Sequence, residues 1–179
     1  MSDSTSSIAE RIASIREELP QEVTLVAVSK TKPNECIQDA MEAGQLDFGE
    51  NRVQELQEKE AALPKSIRWH QIGHLQTNKV KAIVPFVNLI HAVDSERLLQ
   101  EIERRAGNHG RTVDALLQVH IAQEDMKFGW QAPDLTRFIE TSALAGLEHV
   151  RIRGLMGMAT FTPDHQQVAR EFKQLRLLY

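Results

Sequence analysis

The sequence predicts an α/β protein, a (β/α)8 barrel of the TIM type that is incomplete, with about six βα units after an N-terminal helix. Short Val-rich segments alternate with helical segments, which predicts parallel strands joined by right-handed crossovers. The loop after the first strand, "SKTKP", has no glycine, and this disfavours an open dinucleotide-binding sheet. A complete barrel has eight units in about 250 residues. Because the chain has 179 residues, we expect a single domain, 1–179, without the last two units.

Apolar periodicity places the first helix and the first two units. Four apolar residues between positions 8 and 19 share one side of an N-terminal helix. "VTLVAVSK" is typical of a strand covered on both faces, and "PNECIQDAMEAG" of a helix with proline in its first turn and glycine at its end. "LDFGEN" is the second strand, followed by a helix with Val53, Leu56 and Leu63 in register.

The same alternation continues through four further units. "IRWHQIG" precedes the helical segment "TNKVKAIV", and "FVNLIHAV" precedes "SERLLQEIERRAG". "VDALLQVHI" precedes "DLTRFIETSALAG", and "VRIRGLMGM" precedes a helix with Val168, Phe172, Leu175 and Leu178 on one face. No Pro-, Gly- or Ser-rich linker interrupts the pattern, so we predict no internal domain boundary.

Composition and charge exclude several classes of function. Lys plus Arg is 21 and Asp plus Glu is 25, a net charge of −4, so no broad basic face is available for nucleic acid or an acidic membrane. The apolar runs are too short to span a bilayer. Cys36 is the single cysteine, which excludes an internal disulfide and a thiolate metal site and is compatible with the cytoplasm.

Polar residues stand where the predicted strands end, which is the functional face of such a barrel. The polar residues are Lys30 after the first strand, Glu50 and Asn51 after the second, His70 and His74 on the third, His91 and Asp94 on the fourth, and Glu124, Asp125 and Lys127 after the fifth. The sixth strand ends in the non-polar residues Met156, Gly157 and Met158. Packing alone does not require polar groups at most strand ends. We therefore predict a binding site on this face.

Lys30 is the residue with the most distinctive chemistry. A lysine buried at a strand end tends toward the neutral amine, which attacks an aldehyde to form an imine. A surface lysine paired with a carboxylate is the alternative, and position alone leaves both open. Glu50 is able to orient such an amine, but a salt bridge from Glu50 to Lys30 or Lys32 is the favoured expectation.

Several segments together resemble one known family. "AVSKTKP", "FGENRVQE", "WHQIGHLQTNK", "HAVDS", "LLQVHIAQEDMKFGW" and "RIRGLMGMAT" have the order and spacing found in the pyridoxal phosphate homeostasis proteins, the YggS/PROSC family, from about Val23 onward. The resemblance implies a fold like the barrel domain of alanine racemases, with pyridoxal 5′-phosphate (PLP) held as a Schiff base on Lys30. It also implies a protein that binds, stores or delivers PLP to apo PLP-dependent enzymes without appreciable catalysis.

The resemblance also suggests roles for other strand-end residues. Asn51 would lie beside the pyridine ring, although it could equally be a helix N-cap. His70 would hydrogen-bond near the ring or be structural. Met156 and Gly157 would form the floor of the site, where Gly157 lets backbone approach the cofactor. His70 and His74 are about 13 Å apart on a strand, too far for one zinc ion.

Two expectations follow from the missing barrel units. The Ser/Gly-rich phosphate anchor and the "RIG" motif of the family are absent, so we expect the phosphate to be held poorly. The first and sixth strands would be unpaired edges, so we expect edge-mediated association, whereas the complete family fold is expected to be a monomer.

A PLP-dependent racemase or decarboxylase and an interaction module with a non-functional site are the alternative functions. The only tyrosine, Tyr179, stands at the terminus, which disfavours a racemase.

Overall fold

Six parallel strands form one sheet in the computed structural model, which describes residues 7–123, 128–141 and 143–179. The strands lie side by side in chain order. They are β1 (Ala27–Val28), β2 (Asp47–Glu50), β3 (Arg68–Gln71), β4 (Leu89–Val93), β5 (Val113–Val119) and β6 (Val150–Gly157). This order confirms the predicted incomplete barrel of six βα units.

The helices follow the strands as predicted. They are α1 (Ile8–Glu18), α2 (Asn34–Glu42), α3 (Val53–Ala62), α4 (Val80–Ile83), α5 (Glu96–Asn108), α6 (Ala132–Glu140) and α7 (His165–Leu177). Single 3₁₀ turns, Thr77–Lys79 and Ala143–Gly146, precede α4 and follow α6. None of the helices in the described ranges has the length and apolar content needed to cross a membrane.

β1 is much shorter than the predicted strand. The buried side chain of Gln45 explains the difference, because its amide donates to the carbonyl oxygens of Leu25 at 2.7 Å and Asp47 at 2.6 Å. The segment before Ala27 is therefore held by hydrogen bonds from a side chain instead of backbone hydrogen bonds between strands. Among the described residues, β1 pairs only with β2, through Ala27 with Phe48 and Val28 with Gly49.

The core lies between the outer face of the sheet and the helices. Phe48, Trp69 and Ile90 lie on this face, and each is at most 2% exposed. Helix α3 packs on β2 and β3, and α5, whose Leu98, Leu99 and Ile102 are buried, packs on β4 and β6. Burial of this apolar surface is the main source of stability.

α7 departs from the predicted pattern. Phe172, which was predicted to face the core, is 46% exposed, whereas Glu171 is buried. The Glu171 carboxylate accepts hydrogen bonds from the backbone N–H and the hydroxyl of Thr160, both at 2.7 Å. The helix therefore anchors the loop that follows β6 through a polar contact.

The inner face of the sheet carries the alternate side chains of each strand. At β1 this face is open, since Val28 is 52% exposed. β1 and β6 are the edge strands of the described sheet. Association through these edges remains a prediction.

Candidate functional site

Lys30 lies on the turn directly after β1, at the carboxyl ends of the strands. Val28 and Lys30 are exposed whereas Ser29 is buried, which is the alternation of a strand with one covered face. Of the two alternatives left open for Lys30, the structure shows the exposed side chain, because the inner face is uncovered at this edge. The amine is accessible to a small aldehyde.

Helix α3 is hydrogen-bonded to Ser29, the residue before Lys30. The ammonium of Lys59, which is 6% exposed, donates to the carbonyl oxygen of Ser29 and to a carboxylate oxygen of Glu50, both at 2.7 Å. The Ser29 hydroxyl donates to the same Glu50 oxygen at 2.6 Å. A salt bridge from Glu50 to Lys30 or Lys32 was predicted, but the partner is Lys59, whose position on α3 directs it inward.

The same helix is hydrogen-bonded to Thr31, the residue after Lys30. A carboxylate oxygen of Glu55 accepts the backbone N–H of Thr31 at 2.6 Å and the Lys59 ammonium at 2.7 Å. Thr31 has a φ angle of 62°, in the left-handed region that a β-branched residue rarely adopts. The turn that carries Lys30 is therefore held from both sides in an unusual conformation.

Asn51 lies at the carboxyl end of β2, the strand next to β1. It is not the N-cap of α3, because Arg52 occupies that position without a side-chain hydrogen bond. The Asn51 side chain is exposed. Its backbone packs closely on Gly73, where a Cβ atom would come within 2.7 Å of the Asn51 carbonyl oxygen. The predicted contact of its amide with a cofactor ring remains a prediction.

His70 belongs to a buried polar network on the inner face. Its Nε2 lies 3.0 Å from Asp47 Oδ1, and its Nδ1 lies 2.9 Å from Nε2 of His91. Arg68 donates to both carboxylate oxygens of Asp47, at 2.8 and 2.5 Å. Both ring nitrogens of His70 are bonded within the protein, which favours the structural alternative. The hydrogen bond to a cofactor remains a prediction.

At neutral pH, burial keeps both histidine rings neutral, and hydrogen bonds keep the Asp47 carboxyl ionised. Burial raises the pKa of the Asp47 carboxyl, but hydrogen bonds from Arg68 and His70 outweigh it and hold this pKa below its usual value. Burial lowers the pKa of His70 despite the carboxylate beside it. Burial and the neighbouring His70 lower the pKa of His91 to about 4. We therefore assign His70 Nε2–H as the donor to Asp47 and His91 Nε2–H as the donor to His70.

The lowered pKa of His91 makes the stability of the fold sensitive to acid. The unfolded chain binds a proton on this ring near pH 6.5, whereas the folded chain does so only near pH 4. Stability is therefore level above pH 6.5 and falls as the pH drops toward 4, by roughly 2 kcal/mol from this ring at pH 4.5. Urea unfolding at pH 7 and 4.5 measures the loss, which His91→Gln should reduce. His109→Gln, at an exposed histidine, should change nothing, and an equal acid loss in His91→Gln would contradict the assignment.

Met156 and Gly157 lie at the other edge of the sheet, at the carboxyl end of β6. A Cβ atom on Gly157 would come within 2.7 Å of Ile121 Cδ1 and 3.0 Å of Leu175 Cδ2. Glycine is therefore required here for packing against Ile121 and α7, and the approach of its backbone to a cofactor remains a prediction. Met156 is half-buried, and its place in the floor of the site remains a prediction.

His74 links two neighbouring strand ends. Its ring stacks on Phe128 with centroids 3.8 Å apart, and its Nδ1 lies 3.0 Å from Asp94 Oδ2. In the described ranges no cluster of three or more His, Cys, Asp or Glu side chains is arranged for a metal ion. The predicted candidates Glu124, Asp125 and Lys127 lie outside the described residues.

Sequence reasoning assigned no role to Lys59 or to Glu55, the last residue of the motif "FGENRVQE". Their spacing of four is typical of an exposed helical ion pair. However, Lys59 is three residues after Leu56 and four before Leu63, both of which are buried. A lysine in register with the apolar face of a helix was the signal that could have identified it.

Comparison with known proteins identifies the family. The family model described as "Alanine racemase, N-terminal domain" matches residues 4–179. The chain belongs to this family. Within the alanine racemase N-terminal domain family, it is 33% identical to the pyridoxal phosphate homeostasis protein of Escherichia coli (strain K12), with 94% of this chain and 76% of the relative covered. The resemblance predicted from the sequence motifs is confirmed.

Solved structures of the family share this fold. PipY of Synechococcus elongatus PCC7942 is 41% identical, with a TM-score of 0.90 without PLP and 0.87 with PLP bound. These matches cover 96% of this chain and 80% or 79% of PipY. The alanine racemase of Streptomyces lavendulae, at 20% identity, has a TM-score of 0.78 and covers 96% of this chain and 46% of the racemase. At that identity the likeness shows the fold alone.

Proposed function

We propose that the chain binds PLP as a Schiff base on Lys30 and acts in PLP homeostasis and delivery in the cytoplasm, without appreciable catalysis. The observation that carries the proposal is the exposed amine of Lys30 on a turn held from both sides. The name of the Escherichia coli relative and the PLP-bound structure of PipY support it.

The residues around Lys30 fit this cofactor. PLP supplies an aldehyde, and Lys30 supplies an accessible amine for it. Asn51, exposed at the end of the adjacent strand, offers an amide on the same edge of the sheet. His70 is omitted from the proposed site, since both of its ring nitrogens are engaged.

The geometry favours a carrier over a racemase. Racemisation requires acid or base groups on both faces of the bound substrate. Tyr179, whose phenol could supply such a group, is 88% exposed, and its ring lies beside Gly154 in the middle of β6. It therefore lies away from the carboxyl ends of the strands, where Lys30 stands. We propose apo PLP-dependent enzymes as the recipients of the cofactor.

A titration with PLP tests the proposal. We expect visible Schiff-base absorption that saturates at about one equivalent per chain, because one amine is held in place. The loaded protein should activate an apo PLP-dependent enzyme and should give no steady turnover of amino acids. Racemised or decarboxylated product formed at a steady rate would contradict the carrier function. Absorption that rises without saturation would contradict a specific site.

A further inference from the structure

We propose that Glu55 and Lys59 are positioning residues for Lys30. They hold the turn that carries the amine, and neither needs to contact the cofactor. The inference rests on the proposed function, because it concerns how Lys30 is prepared to receive PLP. It assigns a role in binding to the side of α3 that carries Glu55 and Lys59, for which the sequence analysis predicted no role.

Lys59 is the centre of the arrangement. Its ammonium has three N–H donors, and they are used by the Ser29 carbonyl, Glu50 and Glu55, each at 2.7 Å. Lys59 and Glu50 are 6% and 0% exposed. A buried charge is tolerated only where it is paired and hydrogen-bonded, so this geometry is tightly constrained.

The bonds reach both neighbours of Lys30. Lys59 fixes the carbonyl oxygen of Ser29, which also accepts the backbone N–H of Lys32 at 3.0 Å and so closes the turn. Glu55 fixes the N–H of Thr31 at 2.6 Å. The sheet contributes one bond beside Lys30, from the Ser29 N–H to the Gly49 carbonyl at 3.0 Å, and α3 holds the rest of the turn.

The conformation of Thr31 shows why this support is needed. A φ of 62° is unfavourable for threonine, so the turn persists only where surrounding contacts impose it. Without the Glu55 carboxylate, the Thr31 N–H loses its protein acceptor and the turn can relax to a negative φ. Lys30 would then sample many positions and bind the aldehyde less readily.

Glu55→Ala in the full chain tests the inference, with Glu58→Ala as its matched control. Glu58 lies one turn further along α3, is exposed, and accepts a hydrogen bond from Gln54 within the same helix. We expect Glu55→Ala to weaken PLP binding, measured by Schiff-base absorption, on the order of tenfold, the loss of one charge-assisted hydrogen bond. Glu58→Ala should bind as the wild type does, and thermal melting should show that both variants fold.

A second substitution separates positioning from a general loss of stability. Glycine adopts positive φ angles without strain, so Thr31→Gly should need less support from Glu55. We expect Thr31→Gly in the Glu55→Ala background to recover most of the lost affinity. A deficit that Thr31→Gly leaves unchanged would overturn the positioning role.

Amide exchange gives a readout that does not depend on PLP. The Thr31 amide should be protected in the wild type and in Glu58→Ala and should exchange faster in Glu55→Ala. Unchanged exchange in Glu55→Ala overturns the inference.

A wild-type chain that forms no Schiff base at Lys30 contradicts the proposed function. Amide exchange at Thr31 then decides by itself whether Glu55 holds the turn.

Discussion

Lys30→Ala is expected to abolish the Schiff-base absorption with PLP. In the proposed site this amine forms the covalent bond, so we expect apparent affinity to fall by about 100-fold or more, at least 2.7 kcal/mol by the usual conversion. The measurement is a spectroscopic titration of the wild type and the variant at equal protein concentration.

Lys32→Ala is the matched control for this substitution. Lys32 is exposed, stands two residues after Lys30, and bonds to the turn through its backbone N–H, which alanine retains. Its absorption should saturate as in the wild type. Normal saturation in Lys30→Ala would show that another amine carries the cofactor.

Lys59→Met is expected to have the largest effect on stability, a loss of about 3–5 kcal/mol, typical of breaking a buried ion pair on one side. Methionine fills a similar volume but leaves Glu50 as a buried carboxylate without its cation. One oxygen of Glu50, Oε2, already has no hydrogen-bond partner among the described residues. Urea unfolding measures the change in the free energy of unfolding.

Lys65→Met controls for the loss of a lysine. The Lys65 side chain is 69% exposed and pairs with Glu60, so its removal should cost about 0.5 kcal/mol or less. Replacing both partners, as Glu50→Gln with Lys59→Met, should recover part of the lost stability, because no buried charge remains unpaired. A loss below about 1 kcal/mol in Lys59→Met would contradict the importance of the pair.

Periodicity was sufficient to predict the order of strands and helices, because each strand is covered by a helix with apolar residues in register. It failed where side chains replace backbone contacts. The Gln45 amide donates a hydrogen bond to the carbonyl oxygen of Leu25, and β1 begins only at Ala27. Glu171 is buried on α7 because Thr160 donates to it. Such pairs are distant in sequence and leave no periodic signal.

The site was predictable only at the strand ends. Lys30 and Asn51 lie at the carboxyl ends of β1 and β2 as expected, since parallel strands end on one side of a sheet. Spacing along one strand does not show which partners a side chain will meet. The engagement of His70 by Asp47 and His91 therefore had to be seen in the structure.

Mapping the site of attachment tests the central claim most directly. The wild-type protein is incubated with one equivalent of PLP and reduced with borohydride, and its peptides are analysed by mass spectrometry. We predict that the peptide with Lys30 carries nearly all of the reduced adduct. Adducts spread over exposed lysines such as Lys65 and Lys173, with Lys30 unmodified, would contradict the account.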